Sequence, residues 1–101
     1  MTQRKRRMAS GRYVLRLYVT GATARSLRAI ANVKAICEQY LKGSYDLEVL
    51  DIYRHPEQLR KDQIVAVPAL VKSLPVPQRL LVGDFSRPDQ VLSGLGIAGR
   101  A

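Results

Sequence analysis

Residues 13–52 read YVLRLYVTGATARSLRAIANVKAICEQYLKGSYDLEVLDI, and this stretch decides the fold. In Arg12–Thr20, Tyr13, Leu15, Leu17 and Val19 alternate with Arg12, Val14, Arg16, Tyr18 and Thr20. One face is wholly apolar and the other mixed, the pattern of a strand covered on at least one side. Gly21 breaks it, and the Thr23 hydroxyl is placed to accept an orphan amide hydrogen at the start of a helix. Leu27, Ile30, Ala31, Val33, Cys37, Tyr40 and Leu41 then fall at spacings of three and four, an apolar helical stripe. Arg25, Arg28, Asn32, Lys34, Glu38 and Gln39 line the polar side, and Gly43 stands where a left-handed residue ends a helix. Tyr45–Ile52 returns to strand character. Strand, long helix and strand make a βαβ unit with a parallel pair.

Beyond Asp51 the punctuation changes, for all five prolines lie there. Pro56 opens a predicted short helix to Lys61, with Glu57 favourable in its first turn. Ile64–Lys72 is apolar and strand-like, although Pro68 cannot donate a ladder hydrogen bond. Pro75 and Pro77 lead to a strand over Arg79–Val82. Ser86-Arg87-Pro88-Asp89 reads as the capped start of a helix through Leu95. The predicted order is β-α-β-α-β-β-α, an α/β chain with the order of the thioredoxin-like superfold.

The 101 residues suffice for one domain, read as a basic disordered tail over residues 1–11 and a folded unit over 12–101. No apolar run approaches the roughly 20 residues of a membrane helix, and no signal-length apolar stretch follows the basic start, so the expected address is the cytoplasm. The one cysteine, Cys37, has no internal disulfide partner and falls on the apolar stripe, the place of a small core residue.

Seventeen basic against eight acidic residues give a formal charge of +9, which favours encounter with acidic partners. Arg4, Lys5, Arg6 and Arg7 form the dense run, and without it the chain is moderately basic. His55 has no second histidine or carboxylate cluster at ligand spacing, and Ser86 has no histidine base nearby in sequence. No phosphate loop or paired-carboxylate site is present either, so neither enzyme chemistry nor a cofactor is expected. Tyr13, Tyr18, Tyr40 and Tyr45 occupy strand and helix positions that suit packing better than base stacking.

In thioredoxins the first strand-to-helix turn carries two cysteines; here it reads Thr20-Gly21-Ala22-Thr23, which excludes dithiol exchange there. Val67-Pro68 stands where thioredoxin relatives place a cis proline. Four blocks, Tyr13–Gly21, Tyr45–Asp51, Pro68–Lys72 and Val82–Ser86, resemble in order and spacing those of the circadian clock KaiB family. The resemblance runs from Tyr13 to Leu95, and the sensor domain of the clock histidine kinase SasA is a weaker second match.

The resemblance implies a clock component that binds the ring ATPase KaiC and, where present, captures KaiA, with a clock histidine kinase as a further partner. It also implies two folds, a self-associating dimer or tetramer with a rearranged C-terminal half and a thioredoxin-like monomer. Two packings a few kcal/mol apart interconvert in this way. By the same resemblance Arg28 and Arg79 match basic positions implicated in partner contacts, Lys72 and Arg16 sit in similarly matching blocks, and Asp62 matches an acidic position of the family. Gln63 departs from the lysine common there. Pro68, Pro75, Pro77, Gly94 and Gly96 fall in the region that changes fold; Gly94 matches a recurring glycine and Gly96 replaces a commonly acidic residue. Gly94→Ala is expected to shift the balance, since alanine adds about 1 kcal/mol of helix propensity. Two other uses stay open on the residues alone: a stress or signalling adaptor on the same ATPase without an oscillator, and a basic nucleic-acid-binding module.

Overall fold

A computed structural model describes residues 12–97. Its elements are β1 (Tyr13–Val19), α1 (Ala24–Tyr40), β2 (Tyr45–Asp51), α2 (Pro56–Lys61), β3 (Ala69–Leu74), β4 (Arg79–Val82) and α3 (Pro88–Leu95). This is the predicted order. The four strands form one sheet in the order β2-β1-β3-β4. β1 and β2 run parallel, as the βαβ reading requires, while β1–β3 and β3–β4 are antiparallel.

The sheet is covered on both faces, and the alternation in β1 shows why. Leu15, Leu17 and Val19 enter a core shared with Ala29, Val33, Ile36 and Cys37 of α1 and Val91, Leu92 and Leu95 of α3. Tyr18 points the other way, into a smaller core with Leu50, Ala69 and Val71 that Leu59 and Ile64 help to close. Both faces of β3 are therefore buried over Ala69–Lys72, as in a strand covered on two sides.

The α1 cap is the expected one: the Thr23 hydroxyl accepts from the Ser26 amide at 3.1 Å. The buried Ser26 hydroxyl in turn accepts the Thr20 amide at 2.9 Å, tying strand end to helix start. The predicted stripe is rotated in part. Ser26, Ala29 and Ile36 face the sheet, whereas Leu27, Ala31 and Tyr40 lie exposed on the helix. Spacings of three and four admit either neighbour of a stripe, and the contact with the sheet decides between them.

Two further expectations need correction. The third strand does not begin at Ile64: residues 64–67 form a loop and β3 starts after Pro68, which lacks the donor for the ladder. Ser86 does not cap α3. Pro88 occupies the first helical position, Arg87 is the capping residue without a side-chain bond, and the Ser86 amide donates to Asp84 Oδ1 at 3.2 Å. The basic run at residues 4–7 lies outside the described residues.

Candidate functional site

The four residues expected to meet a partner fall into three places. Lys72 of β3 and Arg79 of β4 are direct cross-strand partners and so share a face, that of α1 and α3. Lys72 replaces the next core residue in the Leu70–Lys72 alternation and is only 3% exposed. Its ammonium lies 6.0 Å from the centre of the Tyr13 ring, at the outer limit of a cation–π contact. No carboxylate of the described residues forms an ion pair with either cation. Burial lowers the Lys72 pKa from its ordinary value, and the Arg79 charge lowers it further. The third member of this corner is Gly96, at the end of α3. A Cβ there would lie 3.6 Å from an Arg79 guanidinium nitrogen and 4.0 Å from Lys72 Nζ. Gly96 adopts φ +78°, and its amide closes the helix on the Leu92 and Ser93 carbonyls. A glycine is thus favoured by the left-handed backbone at this helix end.

Asp62 lies on the opposite face and is already occupied. Arg16 grips it with two bonds, Nε to Oδ2 and Nη2 to Oδ1, both 2.9 Å. Tyr18 donates its hydroxyl to Oδ2 at 2.5 Å. The pair is largely shielded, with side-chain exposures of 19% for Arg16 and 8% for Asp62. Burial pushes the Asp62 carboxyl up, but the bonds from Arg16 and Tyr18 outweigh it and hold it below the usual range. The Tyr18 phenol is pushed up to about 12 by burial and by the neighbouring Asp62. This cluster clamps the end of α2 onto β1, and Arg16 Nη1 reaches Ser73 of β3 at 3.4 Å.

Arg28 occupies a third place. Its Nε lies 3.6 Å from Asp84 Oδ2, and the next helical turn holds the same loop through Asn32 Nδ2 to the Asp84 carbonyl at 2.9 Å. More than half of the Arg28 side chain stays in solvent. Asp84 is held below its ordinary pKa, first by the bond from Ser86 and then by the charges of Arg28 and Arg25. Asp84 and Arg25 were not singled out in sequence, though a Gly-Asp pair after a strand is a turn signal that places a carboxylate at a loop tip.

The residues of the expected fold-changing region are spread along β3, β4 and α3. Pro68 precedes β3, and Pro75 and Pro77 shape the β3–β4 connection, all three following cis peptide bonds. Gly94 faces Leu81 of β4 so closely that a Cβ would collide with the Leu81 methyls. Cys37 is buried, and burial pushes its thiol up to about 11, the setting of an inert core thiol. Among the described residues no three histidine, cysteine or carboxylate side chains come together as metal ligands, and no helix is long and apolar enough to cross a membrane.

Known proteins share this frame. The N-terminal domain of SasA from Synechococcus elongatus superposes with a TM-score of 0.71 over 92% of each chain at 22% identity. The Drosophila melanogaster thioredoxin Deadhead does so at 0.67, with 9% identity over 83% of this chain and 78% of its own. Both likenesses establish the thioredoxin-like fold. In sequence, the circadian clock oscillator protein KaiB of Gloeothece citriformis is 45% identical over 85 residues, which cover 84% of this chain and 80% of that one. The profile of the KaiB domain matches residues 16–97. Arg28, Asp62, Lys72 and Arg79 all lie inside that span, and the chain belongs to the KaiB family.

Proposed function

We propose that this protein is a clock regulator that works by binding, seating on a KaiC-type ATPase ring and altering its phosphorylation cycle without catalysing a reaction itself. The observation that carries this reading is the Lys72–Arg79 corner. A cation sequestered from water without a counter-ion is unfavourable unless it is neutralised or satisfied. An acidic partner surface supplies that neutralisation, and the planar Arg79 guanidinium can take a carboxylate with two parallel bonds. Arg28, more than half exposed beyond Asp84, extends the same basic character along α1. Asp62 acts indirectly, by holding α2 in place. The same reading carries a cytoplasmic address, KaiA or a clock histidine kinase as further partners, and a dimer or tetramer in the alternative fold.

The test is capture of a purified KaiC-type ATPase by the full chain, measured by biolayer interferometry. Arg79→Ala is expected to weaken binding at least about tenfold while leaving circular dichroism unchanged, since Arg79 is exposed in the free chain and losing a charge that becomes paired and buried against a partner costs about 2–5 kcal/mol. Equal binding by wild type and variant would remove the corner from the interface. Binding without any change in the ATPase's phosphorylation rhythm in a reconstituted mixture would instead favour the adaptor reading. Preference for random DNA over the ATPase, falling steeply with salt, would favour the nucleic-acid reading.

A further inference from the structure

β4 is an edge strand, hydrogen-bonded to β3 on one side and to no other strand of the described residues. Its register fixes what the open side offers. Gly83 donates its amide to the Pro68 carbonyl at 3.0 Å, so the backbone groups of Gly83 point inward. In an antiparallel ladder both groups of a residue point the same way and the direction alternates. Leu81 and Arg79 therefore also bond inward to β3, and the N–H and C=O of Leu80 and Val82 face outward. The side chains alternate too. Leu80 and Val82 stand opposite Val71 and Ala69, on the α2 face, and remain 46% and 55% exposed. Leu81 and Arg79 are on the α1–α3 face.

At the end of β4 that second face opens into a cleft of about 380 Å³. Leu81, Phe85 and Val91 form its apolar wall, and Arg25, Arg87 and Gln90 supply the polar lining. The acid that reaches it, Asp84, lies against Arg28 and the Ser86 amide. Neither Arg25 nor Arg87 has an ion pair among the described residues. An exposed edge with two unused donor–acceptor pairs is a template for another strand. A strand added here would place alternate side chains over exposed Leu80 and Val82 and the others toward Arg79 and the two cleft arginines.

We propose that the open edge of β4 and the Arg25–Arg87 cleft together bind an extended peptide segment of a partner in which acidic and apolar residues alternate. This site adjoins the Lys72–Gly96 corner at Arg79, but its own contacts, the β4 edge, Arg25 and Arg87, do not depend on which ATPase, if any, the chain serves. The probe is a fluorescent Thr-Val-Glu-Val-Glu-Val-Thr peptide, read by anisotropy against the full chain and by amide shifts in ¹⁵N-labelled protein. Binding with shifts centred on Leu80 and Val82 is expected. Replacing both glutamates of the probe by glutamine, or making Arg25→Gln with Arg87→Gln, is expected to weaken it at least about tenfold through loss of charge-assisted bonds. Val82→Pro removes an outward amide that the fold does not use, a substitution edge strands tolerate, and is expected to abolish binding. Equal affinity for the glutamine probe would overturn the proposal. So would shifts confined to β2, full displacement of the probe by random single-stranded DNA, or wild-type binding by both variants. Should Val82→Pro unfold, the double arginine variant and the glutamine probe still decide.

Discussion

The two faces of the sheet treat their buried cations in opposite ways. On the α2 face Arg16 meets Asp62 in a bidentate pair sealed by Tyr18, and all three groups are satisfied within the chain. On the α1–α3 face Lys72 is more deeply buried than Arg16, stands beside another cation, and has no carboxylate of the described residues to answer it. Paired charge holds architecture together, whereas unpaired charge destabilises the isolated chain and is relieved when an anion arrives. The first face answers its charge within the chain, and the second is where we propose that a partner's anion docks.

Breaking the satisfied side should have the largest effect. Asp62→Asn leaves a shielded Arg16 without its anion and is expected to lower stability by about 2–4 kcal/mol in urea unfolding, a large share of a small domain's total. The same pair sets an acid limit. Because the folded carboxyl titrates below its unfolded value, its contribution is complete above about pH 4 and is lost as the pH falls through the lower folded value. In Asp62→Asn that part of the acid loss should be missing. A variant as stable as wild type across this range would show that the clamp is ornamental.

Breaking the unsatisfied side should go the other way. Lys72→Met replaces a buried cation by an apolar chain of similar length, and a gain of about 1 kcal/mol is expected together with loss of the partner. The sign with pH is opposite to that of a stabilising pair. Since the folded ammonium titrates below its unfolded value, wild type should gain stability as the pH rises through that lower value toward about 10, and the variant should lack this increment. Comparing the two cancels the contribution of Cys37, whose thiol is pushed up to about 11. A loss of stability in Lys72→Met would mean that the corner is satisfied in the free chain.

Smaller effects sharpen the boundary between the faces. Gly96→Ala forces a side chain into the left-handed region beside Arg79, and a loss of about 1 kcal/mol by thermal unfolding is expected. Gly94→Ala should move stability least. Its helix-propensity gain of about 1 kcal/mol is offset by the displacement of the Leu81 methyls that a Cβ meets. Displaced Leu81 methyl resonances with little change in unfolding midpoint are the expected signature; unshifted methyls would mean α3 and β4 are not packed as described.

Much of this could be read from residue order. Thr23, the α1 periodicity and the β1 alternation specified the βαβ half, because a cap, a period of 3.6 and a period of two are local properties of the chain. The prolines marked their own boundaries, and the family resemblance pointed to Arg28, Asp62, Lys72 and Arg79. The relation among those four was not legible. Asp62 and Lys72 lie ten positions apart in the chain, yet one is consumed by Arg16 across the sheet and the other waits at a different corner.

By itself, then, the sequence determined the order of elements, the residues able to start and stop them, and the family to which the chain belongs. Only the tertiary structure decided which flank of α1 is buried, that Asp62 is held by Arg16 and Tyr18, that Gly96 borders two cations, and that β4 is an edge strand among the described residues, beside two arginines. Periodicity and capping depend on neighbours within a few residues. Pairing of charges and exposure of an edge depend on what strand order brings together from opposite halves of the chain.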